Sequence, residues 1–232
     1  MPMTETQVLS DIPVEFDVSG LMKKVRIEPG SADEDEFRTM IEQARKLARP
    51  RALYRQAFVE ERGENTVRID GVTFTSPTLR KNLDEAERVF PFVATCGREL
   101  DDVETDPSNF LGSFWLDTIK EAALGMAIAH LNRHLEEKYA LEKTSAMSPG
   151  SGDVNVWPIE QQKKLFSLLD DVQSAVGVEL TESCLMIPRK SISGIRFPTD
   201  FDFRTCQLCH RENCPSRSAP FDPDLWEEMH GE

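Results

Sequence analysis

Residues 180–197 read LTESCLMIPRKSISGIRF, a segment in which apolar runs alternate with short polar breaks. β-Branched and aromatic residues favour extended backbone, so we expect strands at residues 176–182 and 192–197. Pro188 falls between them. The segment therefore predicts two strands with a polar connection, and after Pro198 the composition changes to Cys, Arg, Pro and Asp.

Toward the N-terminus, strands and helices follow one another in no regular order. Apolar residues three and four apart predict helices, whereas alternation and β-branched content predict strands. The predicted helices cover residues 32–47, 77–86, 114–139 and 158–169, and the predicted strands cover residues 12–18, 53–59, 67–74 and 89–95. This irregular order is typical of an α+β domain.

The charge composition excludes several classes of partner. The 232 residues include 27 basic and 41 acidic side chains, a net charge of -14, and such a surface repels nucleic acid. No apolar run approaches the ~18 residues of a membrane helix. The N-terminal residues lack the layout of a signal peptide, so the expected location is the cytoplasm.

A loop rich in glycine and serine is the first candidate for a ligand site. Residues 148–153 read Ser-Pro-Gly-Ser-Gly-Asp, and Gly150 and Gly152 allow the backbone to approach a small molecule closely. Asp153 suits either an amine or ribose hydroxyl of a ligand, or a cap on the following turn. From these residues alone, an ordinary turn-forming loop is the better interpretation.

The order of the motifs changes that interpretation. A Pro-Gly loop is followed by a helix, by Leu-Thr-Glu-Ser at 180–183, by Met-x-Pro at 186–188 and by Ser-x-Ser-Gly at 191–194. This order resembles the activation domain of cobalamin-dependent methionine synthase, particularly its stand-alone bacterial members, over roughly residues 10–197. The resemblance implies an activation-like domain at residues 1–198, with an antiparallel sheet, flanking helices and a small Cys-rich C-terminal appendage. It also implies that S-adenosylmethionine (AdoMet) is bound by Ser148, Pro149, Gly150, Ser151, Asp153, Glu182, Ser193 and Gly194.

The resemblance also implies a chemistry. In that family the domain binds AdoMet against the cobalamin domain while an electron reduces inactive cob(II)alamin, and the sulfonium methyl traps cob(I)alamin as methylcobalamin. Alignment supplies most of the catalysis in such a transfer, so we expect no acid or base among the catalytic residues. The expected partner is a corrinoid protein or a split methionine synthase. The alternative is a non-catalytic adaptor that docks on a corrinoid protein without AdoMet.

Three departures from the family pattern bear on these alternatives. Ala146 stands where the family has an arginine that holds the ligand carboxylate as a fork, and Ser151 replaces a tyrosine. Lys143 is a possible substitute as a point charge. A helical glutamate that faces the corrinoid is also missing from residues 127–130. These differences favour the adaptor, whereas the intact motif residues Pro149, Gly150, Glu182, Ser193 and Gly194 favour the reactivation role.

A cysteine cluster near the C-terminus predicts a metal-binding tail at residues 199–232. Cys206, Cys209 and Cys214 have C-x2-C-x4-C spacing, which favours an iron–sulfur cluster, with zinc as the alternative. Cys96, at a predicted strand end, is preferred to His210 as fourth ligand.

Other candidate ligands have structural interpretations. Cys184 is expected in the core. His130 and His134 lie four apart on the long helix, and we interpret them as surface residues rather than as a metal pair.

Overall fold

A computed structural model describes residues 5–103, 105, 108–153, 155–200, 203–214 and 217–230, and these form an α+β fold. The helices are α1 Val18–Val25, α2 Ala32–Leu47, α3 Pro77–Asn82, α4 Phe110–Tyr139, α5 Gln162–Phe166, α6 Val172–Val176 and α7 Pro223–His230. The strands are β1 Gln7–Leu9, β2 Arg51–Tyr54, β3 Ala57–Arg62, β4 Thr66–Ile69, β5 Val72–Thr75, β6 Arg88–Thr95, β7 Thr144–Met147, β8 Glu179–Leu180, β9 Met186–Ile187 and β10 Ser191–Pro198. Short 3₁₀ helices cover Arg98–Asp102, Ile159–Gln161 and Thr205–Leu208.

Strand β6 is the centre of an eight-stranded antiparallel sheet. One side of β6 pairs with β10, and β10 in turn pairs with β7 at the edge. The other side pairs with β2 and then β3, which lead to β1 and to β4–β5 respectively. Strands β8 and β9 form a separate two-stranded hairpin. The expected antiparallel sheet with flanking helices is confirmed.

The two faces of this sheet bury different partners, because successive side chains on a strand point to opposite sides. Phe90, Phe92 and Ala94 pack against α4, and we call this side the α4 face. Val89 and Val93 point the other way. We call that side the tail face, because the C-terminal segment packs there: Phe203 and Leu208 are buried in its apolar cluster, with Leu225, Trp226 and Met229 against it.

Helix α4 follows from its apolar spacing and from a clear start signal. The side chain of Asn109 accepts a hydrogen bond from the Gly112 N–H at 2.9 Å and so caps the first turn. The middle of the helix packs its buried small residues, Ala123 and Ala127, against the core. No helix among the described residues has both the length and the hydropathy that crossing a membrane demands.

Long periodic segments were predicted well. The structure confirms the helix beginning at residue 32, the long helix α4, the central strand β6 and strand β10. The helix expected at residues 158–169 is present only as a 3₁₀ turn followed by α5.

Several shorter predictions were wrong. The strand expected at 12–18 is absent, and the first strand lies earlier, because Asp17 caps α1 by accepting from the Gly20 N–H. The strand expected at 176–182 is reduced to β8, since α6 runs to Val176 and ends at Gly177 in the left-handed conformation (φ 74°).

Two predicted strands are each divided into two. The break between β2 and β3 contains Arg55, whose buried guanidinium donates to Asp70 at 2.7 Å and to the Leu168 carbonyl at 3.1 Å. The break between β4 and β5 is a turn at Asp70 and Gly71, both with positive φ. An alternation of apolar and polar residues in the sequence does not reveal such a turn when apolar residues flank it on both sides.

Candidate functional site

The end of β7 and the middle of β10 form the corner where the sequence motifs meet. β7 pairs with β10 from Thr144↔Pro198 to Met147↔Ile195, and the chain leaves the sheet at Ser148. A Cβ atom at Gly194 would lie 2.4 Å from the Met147 carbonyl oxygen and 2.8 Å from the Ser148 hydroxyl. Gly194 therefore lets the loop lie directly on the strand, which no other residue permits without displacement.

The glycine loop uses several of its own polar groups. The Gly150 N–H donates to the Trp157 carbonyl at 2.8 Å, and the Ser151 N–H donates to the Ser148 carbonyl at 3.1 Å. Pro149 is buried, while Gly150 and Ser151 are exposed. Gly150 has φ 75° and packs so closely on Ile159 that a Cβ would lie 2.9 Å from it. Packing therefore explains part of the loop's composition, as the structural interpretation expects.

Asp153 joins this loop to the cysteine segment, a contact that the sequence did not indicate. Its carboxylate accepts from the Asn155 N–H and side-chain amide, both at 3.0 Å, and lies 3.9 Å from the His210 ring. A Cβ at Gly152 would lie 2.9 Å from Thr205. The loop thus rests against the segment that carries Cys206 and Cys209.

The remaining predicted ligand residues are divided among different surfaces. Ser193 is buried and points to the tail face, whereas its neighbour Gly194 points to the α4 face. Glu182 is exposed in the turn of the β8–β9 hairpin, where Thr181 accepts from the Leu185 N–H at 3.0 Å. The structure brings the Ser148 hydroxyl and the Met147 carbonyl onto Gly194, whereas the Ser193 side chain lies on the opposite face of β10.

Cys96 does not join the three tail cysteines. It is fully buried at the end of β6, its thiol faces the Gly97 carbonyl at 3.4 Å, and burial raises its pKa to about 11. Arg88, at the opposite end of β6, lines the same cleft as Gln207. The length of β6 therefore separates Cys96 from the tail by roughly 25 Å, which does not support Cys96 as fourth ligand. Cys184 is buried, as expected.

The tail is organised around an arginine that the sequence did not single out. The Arg217 guanidinium donates to the carbonyls of Cys206 and Cys209, both at 3.0 Å, and to those of Arg211 and Ala219. The His210 ring makes a tilted contact with Phe221 and an edge-on contact with Trp226, each ring centroid 4.4 Å away. Within the part of the chain that the structure describes, no three His, Cys, Asp or Glu residues are arranged to hold a metal ion.

His134 is a partner of the core rather than a surface residue. Its Nε2 lies 2.8 Å from the hydroxyl of buried Tyr54, which also accepts from Lys138 Nζ at 3.0 Å. Burial lowers the pKa of His134, and the positive charge of Lys138 lowers it further. The contact explains the histidine without a metal.

Arg196 is the residue that sequence reasoning missed. The β7–β10 register sets it directly opposite Ala146, and its Nη1 donates to the Thr144 hydroxyl at 2.8 Å. Burial lowers the pKa of the guanidinium. The alternation along β10 was the available signal, because residues two apart share a face and Arg196 follows Gly194 by two.

The region that contains the β7–β10 corner matches a known protein family. Residues 132–208 match the family described as "Vitamin B12 dependent methionine synthase, activation domain". The match begins within α4 and includes the β7 corner, the β8–β9 hairpin, β10 and the first tail cysteine, Cys206. The resemblance that the motifs indicated is confirmed in this region.

The fold as a whole is similar to a solved structure, the MetH reactivation domain bound to AdoHcy. The TM-score is 0.54 at 16% sequence identity, with 88% of this chain and 83% of that chain covered. The chain therefore has the reactivation-domain fold. No curated protein sequence matches it significantly.

Proposed function

We propose that this chain serves the reductive methylation of cobalamin on a corrinoid methyltransferase such as methionine synthase, with AdoMet as methyl donor. One observation carries the proposal: the family match includes the β7–β10 corner, where Ser148 lies against Gly194. The similar fold, solved with AdoHcy, supports it. The same observation supports a corrinoid protein as the partner.

The residues at the corner are compatible with AdoMet. Ser148 offers a hydroxyl, and buried Gly194 positions it by letting the loop lie directly on β10. The exposed surface of Gly150 and Ser151 lies beside them. The protein holds and orients AdoMet, and the partner's cobalamin supplies the cobalt that accepts the methyl group. The sulfur keeps the carbon–sulfur electron pair, so AdoHcy is the product, and an external one-electron donor reduces the cobalt.

Titration calorimetry with AdoMet and AdoHcy tests this proposal. We expect binding by the wild type and at least a tenfold weaker Kd for Gly194→Val, because the new side chain overlaps the Met147 carbonyl and the Ser148 hydroxyl. The control is Gly125→Ala on α4, where nothing lies within 4 Å of the added Cβ. No heat with either ligand at concentrations near a millimolar would contradict AdoMet binding.

The adaptor remains the second candidate, favoured by Ala146 and Ser151. It predicts stable binding to a corrinoid protein without measurable AdoMet binding. Surface plasmon resonance against the cobalamin-binding region of a methionine synthase separates the candidates. Because the chain carries a net charge of -14, we expect salt to slow association more than it speeds dissociation. Absence of binding at low salt would contradict both candidates.

We also propose that residues 199–232 form a metal-binding tail through Cys206, Cys209 and Cys214. The spacing supports it, as does the Ser218 N–H that lies 3.5 Å from the Cys206 sulfur. An iron–sulfur cluster is the first choice and zinc the second, and either requires the loop to close around the metal.

Metal analysis and visible absorption of anaerobically purified protein test the metal-binding tail. Serine at each tail cysteine should remove the metal, whereas Cys96→Ser and Cys184→Ser should retain it. Metal-free wild-type protein would contradict the proposal.

A further inference from the structure

The α4 face carries three cations around a pair of aromatic rings. The Phe90 and Tyr139 centroids lie 4.7 Å apart, and the Arg88 guanidinium lies 5.7 and 5.2 Å from them. Lys138 Nζ lies 5.6 Å from the Tyr139 ring, and Arg196 is opposite Phe90 in the β6–β10 register. In a chain of net charge -14, none of the three forms an ion pair with another described residue.

Two of these cations have partners of another kind. Arg88 stacks over both rings, and Lys138 donates to the Tyr54 hydroxyl at 3.0 Å while lying over the Tyr139 ring. Cation–π contacts and this hydrogen bond account for their positions. Arg196 differs from both.

One edge of the Arg196 guanidinium, formed by Nε and Nη2, has no hydrogen-bond partner among the described residues. Nη1 donates to Thr144, but Nε is shielded from water and has no hydrogen-bond partner, and Nη2 makes no hydrogen bond with a described residue. Among the described residues, the charge of Glu136 acts on the group, but the two side chains form no ion pair. Withdrawing a guanidinium from water without a counter-charge is costly, so the site is suited to an anion.

The geometry of the free edge identifies the anion. Nε and Nη2 are parallel donors on one side of a planar group, which is the arrangement that takes both oxygens of a carboxylate. A bidentate carboxylate would satisfy the orphaned Nε and neutralise the buried charge. The residue directly opposite on β7 is Ala146, whose methyl side chain offers no acceptor to this edge.

The free edge lies close to the candidate site. Arg196 and Gly194 share the α4 face of β10, and two residues of strand span about 7 Å. Ser148 and Met147, which contact Gly194, follow directly from the β7 residues that pair with Arg196. A ligand that rests on Ser148 at this corner therefore has Arg196 within reach of a flexible carboxylate arm.

We propose that Arg196 binds the α-carboxylate of AdoMet and selects ligands that carry this group. The inference rests on the function proposed above and adds the residue that discriminates among adenosyl sulfonium compounds. It predicts a preference for AdoMet over its decarboxylated analogue, which retains the adenosine, the sulfonium and the amine but lacks the anion.

The test compares both ligands on three proteins by titration calorimetry. The wild type should bind AdoMet about 10–100-fold more tightly than decarboxylated AdoMet, the range expected for a charge-assisted hydrogen bond. Arg196→Gln should weaken AdoMet by a similar factor and leave the analogue nearly unchanged. Arg88→Gln, the matched control on the same face, should retain the preference. Arg196→Lys keeps the charge without the fork and should give an intermediate preference.

The possible outcomes distinguish a ligand-binding role of Arg196 from a structural one. Equal weakening of both ligands by Arg196→Gln would assign Arg196 a structural role and overturn the inference while the proposed function stands. An unchanged preference would also overturn it. If the wild type binds neither ligand, both the inference and the proposed AdoMet function fail. Thermal unfolding of each variant verifies that it is folded, and Arg196→Lys provides the readout if Arg196→Gln is not.

Discussion

The two faces of the central sheet use arginine in opposite ways. On the α4 face, Arg196 has one hydrogen bond to a described residue and an edge without a partner among them. In the tail that packs on the other face, Arg217 directs its donors to four carbonyls of the loop that carries it. Arg217 therefore stabilises the loop that carries it, whereas Arg196 keeps a buried Nε that no described residue satisfies. The difference is independent of the sequence motifs, and it is the basis for proposing a ligand at Arg196 and none at Arg217.

The largest effect should come from the anchor of the tail. Leu208 is fully buried in the tail-face cluster, so Leu208→Ala should lower the free energy of unfolding by about 2–4 kcal/mol. Chemical denaturation measures the change. Leu185→Ala, at an exposed position in the β8–β9 hairpin, is the control and should change it by less than about 0.5 kcal/mol. A negligible cost at Leu208 would mean that the tail does not contribute to the core.

Loss of the tail arginine should have a smaller effect, confined to one face. Arg217→Gln removes most of the donors to the carbonyls of Cys206, Cys209 and Ala219, at a cost of about 1–3 kcal/mol. Amide hydrogen exchange should rise in residues 203–214 and stay unchanged in β10. Faster exchange at β10 would show that the two faces are coupled, and the comparison between them would fail.

The smallest expected effect is on the pH dependence of thermal stability, through His134 on the α4 face. The pKa of His134 is lower in the folded than in the unfolded state, so folding favours the neutral imidazole. The resulting contribution to the free energy of unfolding is present above the unfolded-state pKa. It is lost as the pH falls through the folded-state pKa. The melting temperature should therefore fall between pH 7 and pH 5 more steeply in the wild type than in His134→Gln. The glutamine cannot gain a proton in this range and can still accept from Tyr54. Parallel melting profiles would contradict a role for His134 in acid stability.

The motif region was easier to predict than its geometry. The order from the Pro-Gly loop to Ser193-Gly194 indicated the family, and the loop does lie on Gly194. The same resemblance implied that both Ser193 and Gly194 bind AdoMet, yet neighbours on a strand face opposite sides. Sequence proximity therefore overstated how many of these residues share one surface.

The sequence by itself determined the long elements and the class of fold. Helices α2 and α4 and strands β6 and β10 follow from local apolar periodicity, which depends only on residues a few positions apart. The change of composition after Pro198 also marked the C-terminal segment as chemically distinct.

Tertiary structure alone decided which distant residues meet. The β7–β10 register put Arg196 opposite Ala146, the length of β6 kept Cys96 away from the tail, and packing brought Gly152 to Thr205. These contacts join segments many residues apart, and strand pairing, with its one-residue sensitivity of facing, sets them. The local sequence pattern carries no information on that pairing. Only the tertiary structure therefore shows that one edge of the Arg196 guanidinium has no partner among the described residues.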